Sequence, residues 1–266
     1  LAGQSIDIEG PGAGKLTISG GGASRVFRIF GGSSGVKDVI SGLTIASGMA
    51  ETGEDSLGGG ILNEGELTLA GVVVEGNEAK ATGSSVVIGN GGGVANLPGA
   101  ALTIERSTLA GNTAGAVASS GVAYGDGGAV FNEGALTISD STISGNGAIA
   151  AGGGGQSASG GGIANVFCGV TMANNTTTDL GGAYYRVSTD GTGSDRITRS
   201  SFTNNRAPAA GGIYMFDTAL ELRQSTIADN VSMSSVGGMW FQGAKALLVE
   251  NVTIANNRST AEGQIA

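Results

Sequence analysis

The feature that most constrains this chain is a phrase that returns seven times: two or three glycines, a few apolar residues, a turn, two short strands and an asparagine. The first copy opens at Gly59-Gly60-Ile61-Leu62-Asn63, runs through Leu67-Thr68-Leu69 and Val72-Val73-Val74, and closes at Asn77. The second and third open at Gly92-Gly93-Val94 and Gly127-Gly128-Ala129-Val130 and close at Asn112 and Asn146. Looser copies open at Gly161-Gly162, Gly181-Gly182, Gly211-Gly212 and Gly237-Gly238, closing at Asn175, Asn205, Asn230 and Asn257. Taking Ile61, Val94, Val130, Ile163, Tyr184, Tyr214 and Trp240 as the first apolar anchors gives spacings of 33, 36, 33, 21, 30 and 26. A period of this size built from strands alone marks a β-solenoid.

Within each copy the apolar positions alternate: Leu67 and Leu69 flank Thr68, Leu102 and Ile104 flank Thr103, Leu220 and Leu222 flank Glu221. Alternation of period two gives each strand one buried and one exposed face. Helical spacing is absent. The expected fold is therefore all-β, a right-handed single-stranded parallel β-helix with three short strands per coil and about nine coils, roughly 40 Å long at one strand spacing per coil. Residues 1–57 form irregular N-terminal coils, two of them marked by Leu16-Thr17-Ile18 and Leu43-Thr44-Ile45, and residues 58–266 form the seven regular ones, all within one domain. The corners between sheets need positive φ or close backbone approach, which Gly and, less readily, Asn supply. Asn63, Asn96, Asn132 and Asn165 share one register, and Asn77 through Asn257 another, so both sets read as ladders at turns rather than as ligands.

Composition agrees with many tight turns between apolar strands. Glycine supplies 52 of 266 residues and proline 3, yet 40% of residues are hydrophobic, which excludes collagen and a disordered linker. Acidic residues outnumber basic ones 22 to 13, for a net charge of −9, so nucleic acid is not an expected partner. No apolar run approaches the length of a membrane span. The first residue is Leu and no signal peptide is visible, so the chain reads as a fragment or mature form of something longer. Cys168 cannot form an internal disulfide and reads as a small apolar filler.

Gly127-Gly128-Ala129-Val130 and Gly181-Gly182-Ala183-Tyr184 resemble the GGA-apolar motif of polymorphic outer-membrane proteins. Phe202-Thr203-Asn204-Asn205, followed by Ala207, resembles that family's FxxN, and Ile143-Ser144-Gly145-Asn146 is a relaxed form. The resemblance covers nearly all of the chain from residue 58 onward, although most coils carry Ile, Leu or Val in place of the Phe. It implies a secreted or surface-displayed β-helical passenger, often adhesive. Such motifs specify fold more than function.

A surface scaffold or adhesin, non-enzymatic, is the expected function, with a polysaccharide or protein surface as partner and end-to-end self-association into a filament or sheath as a further possibility. Two faces are candidates. Counting from the anchors, the outward column of the late coils reads Phe131, Ala164, Tyr185, Met215, Phe241, beside Trp240, and exposed rings at one-coil steps suit stacking on sugar rings or a partner. The same aromatics could instead reflect a tapering core covered by a further C-terminal segment. Three long loops, Glu78–Asn90, Thr113–Asp126 and Gly147–Ser159, leave one corner of successive coils and should form a protruding ridge, either for recognition or as plain surface.

The main alternative is a polysaccharide lyase or glycoside hydrolase, which needs paired carboxylates. Asp126, Asp140, Asp179, Asp190, Asp195, Asp217 and Asp229 are scattered and seldom share a register, and there is no His to serve as base or metal ligand. No catalytic residue, metal site or cofactor is therefore assigned. Gly125-Asp126-Gly127 and Glu54-Asp55 could offer calcium oxygens but read as solvated turn acids. A lesser alternative is ice binding, since Thr108, Thr142, Thr171, Thr226 and Thr253 fall in one outward column, but the neighbouring column is mostly Ala. The sequons at Asn251 and Asn257 are the kind that arise by chance in an Asn/Thr-rich chain.

Overall fold

A computed structural model describes residues 4–31, 35–51, 53, 55–163, 167–168, 171–173, 175–187, 194–243 and 245–260. The described strands stack in parallel as a right-handed solenoid. A first side of nine strands runs from Asp7–Glu9 through Glu66–Ala70 and Ala101–Glu105 to Leu247–Glu250. A second side, also of nine, runs from Thr17–Ser19 through Thr108–Ala110 to Thr253–Ala255. The third side runs from Phe27–Ile29 to Val130–Asn132, passes through single bridges at Ile163, and resumes at Tyr184–Val187, Ile213–Phe216 and Met239–Gln242. The two weak N-terminal coils take their expected places, with Ile18 and Ile45 in register below Val74.

The core is the sum of the inward columns. Leu67, Leu102 and Leu136 line up on the first side, Ile45, Val74, Leu109, Ile143, Phe202 and Ile227 on the second, and Ile61, Val94, Val130 and Ile163 on the third, all buried. Phe202 of the FxxN motif is thus a core wedge, and the Asn three residues later is a corner rung.

That rung belongs to a continuous ladder. Asn77, Asn112, Asn146, Asn175, Asn205, Asn230 and Asn257 are linked so that the backbone N–H and Nδ2 of each donate to Oδ1 of the next, at 2.9 to 3.1 Å. At the other end Gly48 N–H donates to Asn77 Oδ1 at 2.7 Å. Side-chain amides therefore satisfy the buried turn backbone, as a sealed corner requires. A shorter ladder joins Asn63, Asn96 and Asn132; Asn165 lies outside the described residues.

The glycine phrase divides into two jobs. The residue opening it takes a left-handed conformation, as at Gly127 with φ of 67°. The next glycine runs against the backbone of the strand after the Asn corner: a Cβ on Gly92 would lie 2.4 Å from the Thr113 carbonyl carbon, and one on Gly59 2.3 Å from that of Glu78.

The three long segments expected as loops are strands. Glu78–Gly83, Thr113–Ala118 and Gly147–Gly152 run outward in one parallel sheet, and Val87–Asn90, Val122–Asp126 and Gly155–Ser159 return in another. The two sheets form a flange with its own small core of Ala81, Val87, Ala116, Ala118, Ala123, Ala148, Ala150 and Ala158. A ridge does protrude from one corner, but it is a two-layered blade rather than a row of loops. Among the described residues no helix is long and apolar enough to cross a membrane.

Candidate functional site: an aromatic stack and an acidic recess

On the third side the late strands alternate in, out, in. Tyr184 pairs with Ile213 and Ile213 with Met239; Tyr185 with Tyr214 and Tyr214 with Trp240; Arg186 with Met215 and Met215 with Phe241. Tyr184, Ile213 and Met215 are fully buried, and Phe241 packs against the same core. The outward column is therefore Tyr185, Tyr214, Trp240. Its rings stack, with centroids 5.5 Å apart and planes at 20° for the tyrosines, then 6.2 Å and 18° from Tyr214 to Trp240. Separations above the strand spacing of about 4.8 Å give offset stacking, the favoured geometry. Trp240 Nε1 donates to Gln242 Oε1 at 3.2 Å.

The expected column is thus corrected at two positions: Met215 and Phe241 point inward, and Tyr214 and Trp240 take their places. At Met215 the cause is one residue. Ala210, with φ of 54°, occupies the left-handed corner that Gly58, Gly91, Gly127 and Gly181 fill elsewhere. Counting from the glycines alone starts this coil one residue late, and Ile213, not Tyr214, is the anchor. The coil of Phe241 likewise has a non-glycine, Val236, ahead of Gly237-Gly238. Tyr185 stands outward as expected, Trp240 does so although counted as an anchor, and both are partly exposed.

Phe131 also points outward, in register with Leu62 and Ala95. The bridges from Val130 to Ile163 and from Ile163 to Tyr184 set it two steps from Tyr185 on the same line; Ala164 lies outside the described residues. Leu62 and Ala95 are buried, in coils that carry the outer flange sheet, whereas Tyr185, Tyr214 and Trp240 lie in coils without it. Where that sheet stops, a recess of about 160 Å³ opens, lined by Asp126, Phe131, Asn132, Ser159, Tyr185 and Arg186.

Asp126 closes the returning flange strand Val122–Asp126. Its N–H donates to Asn90 Oδ1 at 2.9 Å, and its Oδ1 accepts the N–H of Ser159 at 2.8 Å. Burial pushes its carboxyl up to about 6, against the hydrogen bonds from Ser159 and with help from the charge of Asp179. Burial likewise raises Asp179, which Ser157 holds by a side-chain hydrogen bond. The Tyr185 phenol is raised to about 12 by burial and then by the Asp126 charge, so it stays neutral over the working range.

The glycine-flanked Asp126 is therefore not a solvated turn acid, and it meets an acid 53 positions away. Both residues sit just ahead of a glycine corner, Asp126 one before Gly127 and Asp179 two before Gly181; nearness to that corner was the available signal. The other acids have structural places. Asp140, Asp217 and Asp229 occupy left-handed corners, and Asp190 lies outside the described residues. Among the described residues no group of three or more potential ligands could hold a metal ion.

Arg186 forms the back of the recess. It stands in the inward register that Asn63, Asn96 and Asn132 fill earlier, and its Nε lies 3.8 Å from Asp195 Oδ2. Asp195 replaces a leucine in the first-side core column, in register with Leu220 and 2% exposed. Tyr184 Oη donates to its Oδ2. Burial raises the Asp195 carboxyl, and the Tyr184 hydrogen bond and the Arg186 charge oppose that. Asp195 Oδ1 and Arg186 Nε have no hydrogen-bond partner among the described residues.

A family model described as the right-handed beta helix region matches residues 62–264. No curated protein and no solved structure matches the chain.

Proposed function

The chain belongs to the right-handed β-helix family, and from that premise we propose that it is a secreted or cell-surface scaffold that holds a glycan against the third side of its late coils. The observation that carries this reading is the stack of Tyr185, Tyr214 and Trp240, three part-exposed rings repeated along a rigid rod. Because the rings stack on one another, they present a continuous strip of apolar ring edges along which a glycan can lie at little entropic cost, since the strands already fix their spacing. The GGA-apolar and FxxN phrases support a place near the polymorphic outer-membrane proteins, and with it an extracellular location and an adhesive role. Cell-surface labelling of the parent protein tests the location.

The binding test is retention of the purified chain on immobilised polysaccharides and a glycan array. Tyr214→Ala and Trp240→Ala are expected each to weaken retention at least tenfold while leaving the circular dichroism spectrum unchanged. Retention unaffected by both substitutions would remove the stack from the reading.

A second reading, a polysaccharide-cleaving enzyme, is favoured by one observation: Asp126 lines an aromatic-walled recess with its carboxyl raised by burial and by the nearby charge of Asp179, itself raised. Perturbed acids in a cleft are the usual mark of acid–base chemistry. Release of new reducing ends, abolished by Asp126→Asn, would establish it; a complete absence of product across the polymer panel would leave binding alone.

A further inference from the structure

The recess has a shape and charge that select one kind of ligand, and this inference rests on the glycan reading of the stack beside it. We propose that the slot between Phe131 and Tyr185 seats a single uncharged sugar ring at the end of the glycan, held by Asp126 and Arg186 and closed to acidic sugars.

The slot continues the aromatic line. Phe131 and Tyr185 are two strand steps apart, about 9.6 Å, while Tyr185 and Tyr214, one step apart, already stack at 5.5 Å. Both rings line the recess, so a sugar ring seated there meets aromatic carbon from each of them. The volume of about 160 Å³ fits a single ring rather than a ligand of drug size. The slot therefore suits the terminal residue of a chain whose following residues lie along Tyr214 and Trp240.

The polar groups settle the class. A sugar hydroxyl can donate to the Asp126 carboxylate and accept from the Arg186 guanidinium, the pairing of one acceptor and one donor that neighbouring ring hydroxyls satisfy. The neutral Tyr185 phenol adds no charge. The charged groups around Asp126 are Asp179 from the next corner and Arg186 from the third side, with Asp195 behind Arg186; Tyr124 lies on its own strand. Three carboxyls against one guanidinium give a negative field that repels a uronate. Acid weakens the site, since protonating Asp126 replaces a charged acceptor with a neutral carboxyl.

The test uses the whole chain, titrated by calorimetry at pH 7.5 with neutral cello-, manno-, xylo- and malto-oligosaccharides, with oligogalacturonate and with chitosan oligomers. At least one neutral series is expected to bind, with a tenfold or greater loss on Asp126→Ala and on Tyr185→Ala, and a several-fold loss between pH 7.5 and pH 5. Asp126→Asn, which keeps an acceptor for the Ser159 N–H, serves where Asp126→Ala does not fold. Neutral binding that both Asp126 variants retain, but that Tyr214→Ala abolishes, overturns the slot and leaves the stack. Preference for oligogalacturonate overturns the charge argument, and preference for chitosan overturns the restriction to an uncharged ring. Absence of binding by every probe overturns both the slot and the glycan reading.

Discussion

Asp126 ties the proposed ligand site to a stability cost that can be measured. Its carboxyl is raised to about 6 in the folded chain, against an ordinary value near 3.9 in the unfolded one. Between about pH 4 and pH 6 the folded state holds a proton that the unfolded state has released, so stability falls as pH rises through that window and is level above it. Asp126→Asn removes the charge and should raise stability at pH 7.5 by about 3 kcal/mol, with the gain vanishing at pH 4. Thermal unfolding of both proteins at the two pH values checks this; an equal gain at both would place its origin elsewhere than in the buried charge. Asp179 and Asp195 are raised in the same direction, so some of the decline persists in the variant. At this scale the sequence was only partly legible. The aromatic pairs were visible, and their inward or outward sense at Tyr184-Tyr185 followed from the glycines. At Ala210 it did not, because an alanine holds a left-handed corner that glycine marks in other coils. The proximity of Asp126 and Asp179 was hidden because the returning strand that ends at Asp126 has no counterpart before Gly181 among the described residues, so the two acids stand at different distances from their corners.

The glycines of each coil are not equivalent, and substitution separates their two roles. Gly76 has φ of 59° with open space around it, whereas Gly92 has ordinary φ but a neighbouring backbone where a Cβ would stand. Gly76→Ala should cost about 1 kcal/mol, the penalty of a left-handed L-residue. Gly92→Ala must push neighbouring strands apart and should cost about 3 kcal/mol or more. Denaturant midpoints compare the pair directly, and equal costs would show that conformation rather than crowding fixes both glycines. The elements themselves divide the same way. The three sides and the Asn corner were legible, since Leu, Ile and Val alternate with polar residues. The flange was not, because its interior is filled almost wholly by alanine. A sheet pair packed almost wholly on alanine carries Ala, Gly and Ser, the composition of a loop, and its strands are held by parallel stacking on the coils before and after.

Over the whole molecule each coil touches only its neighbours, so stability is a chain of nearest-neighbour terms with the ends weakest. The last described coil shows this: Leu247, Leu248, Val249 and Ile254 are all more than 40% exposed. Amide exchange is expected to be slowest around Asn112 and Asn146 and faster by orders of magnitude at Thr253–Ala255. Asn112→Ala would leave the Asn77 N–H without its acceptor, Asn77 Nδ2 with only the Ile45 carbonyl, and Val74 O without the side-chain donor, at a cost of about 3 kcal/mol. It should speed exchange in the coils on both sides of the break; a change confined to residue 112 would mean that the rungs act independently.

The asparagine corner also has a direction. Every amide-to-amide bond runs the same way, from Nδ2 of one coil to Oδ1 of the next, so the row is a vector with a head and a tail. A coil presented in the reverse sense would set N–H against N–H or oxygen against oxygen. Two copies therefore cannot be joined through this corner by a two-fold axis. Any growth that prolongs the row is head to tail, an open and polar mode of assembly.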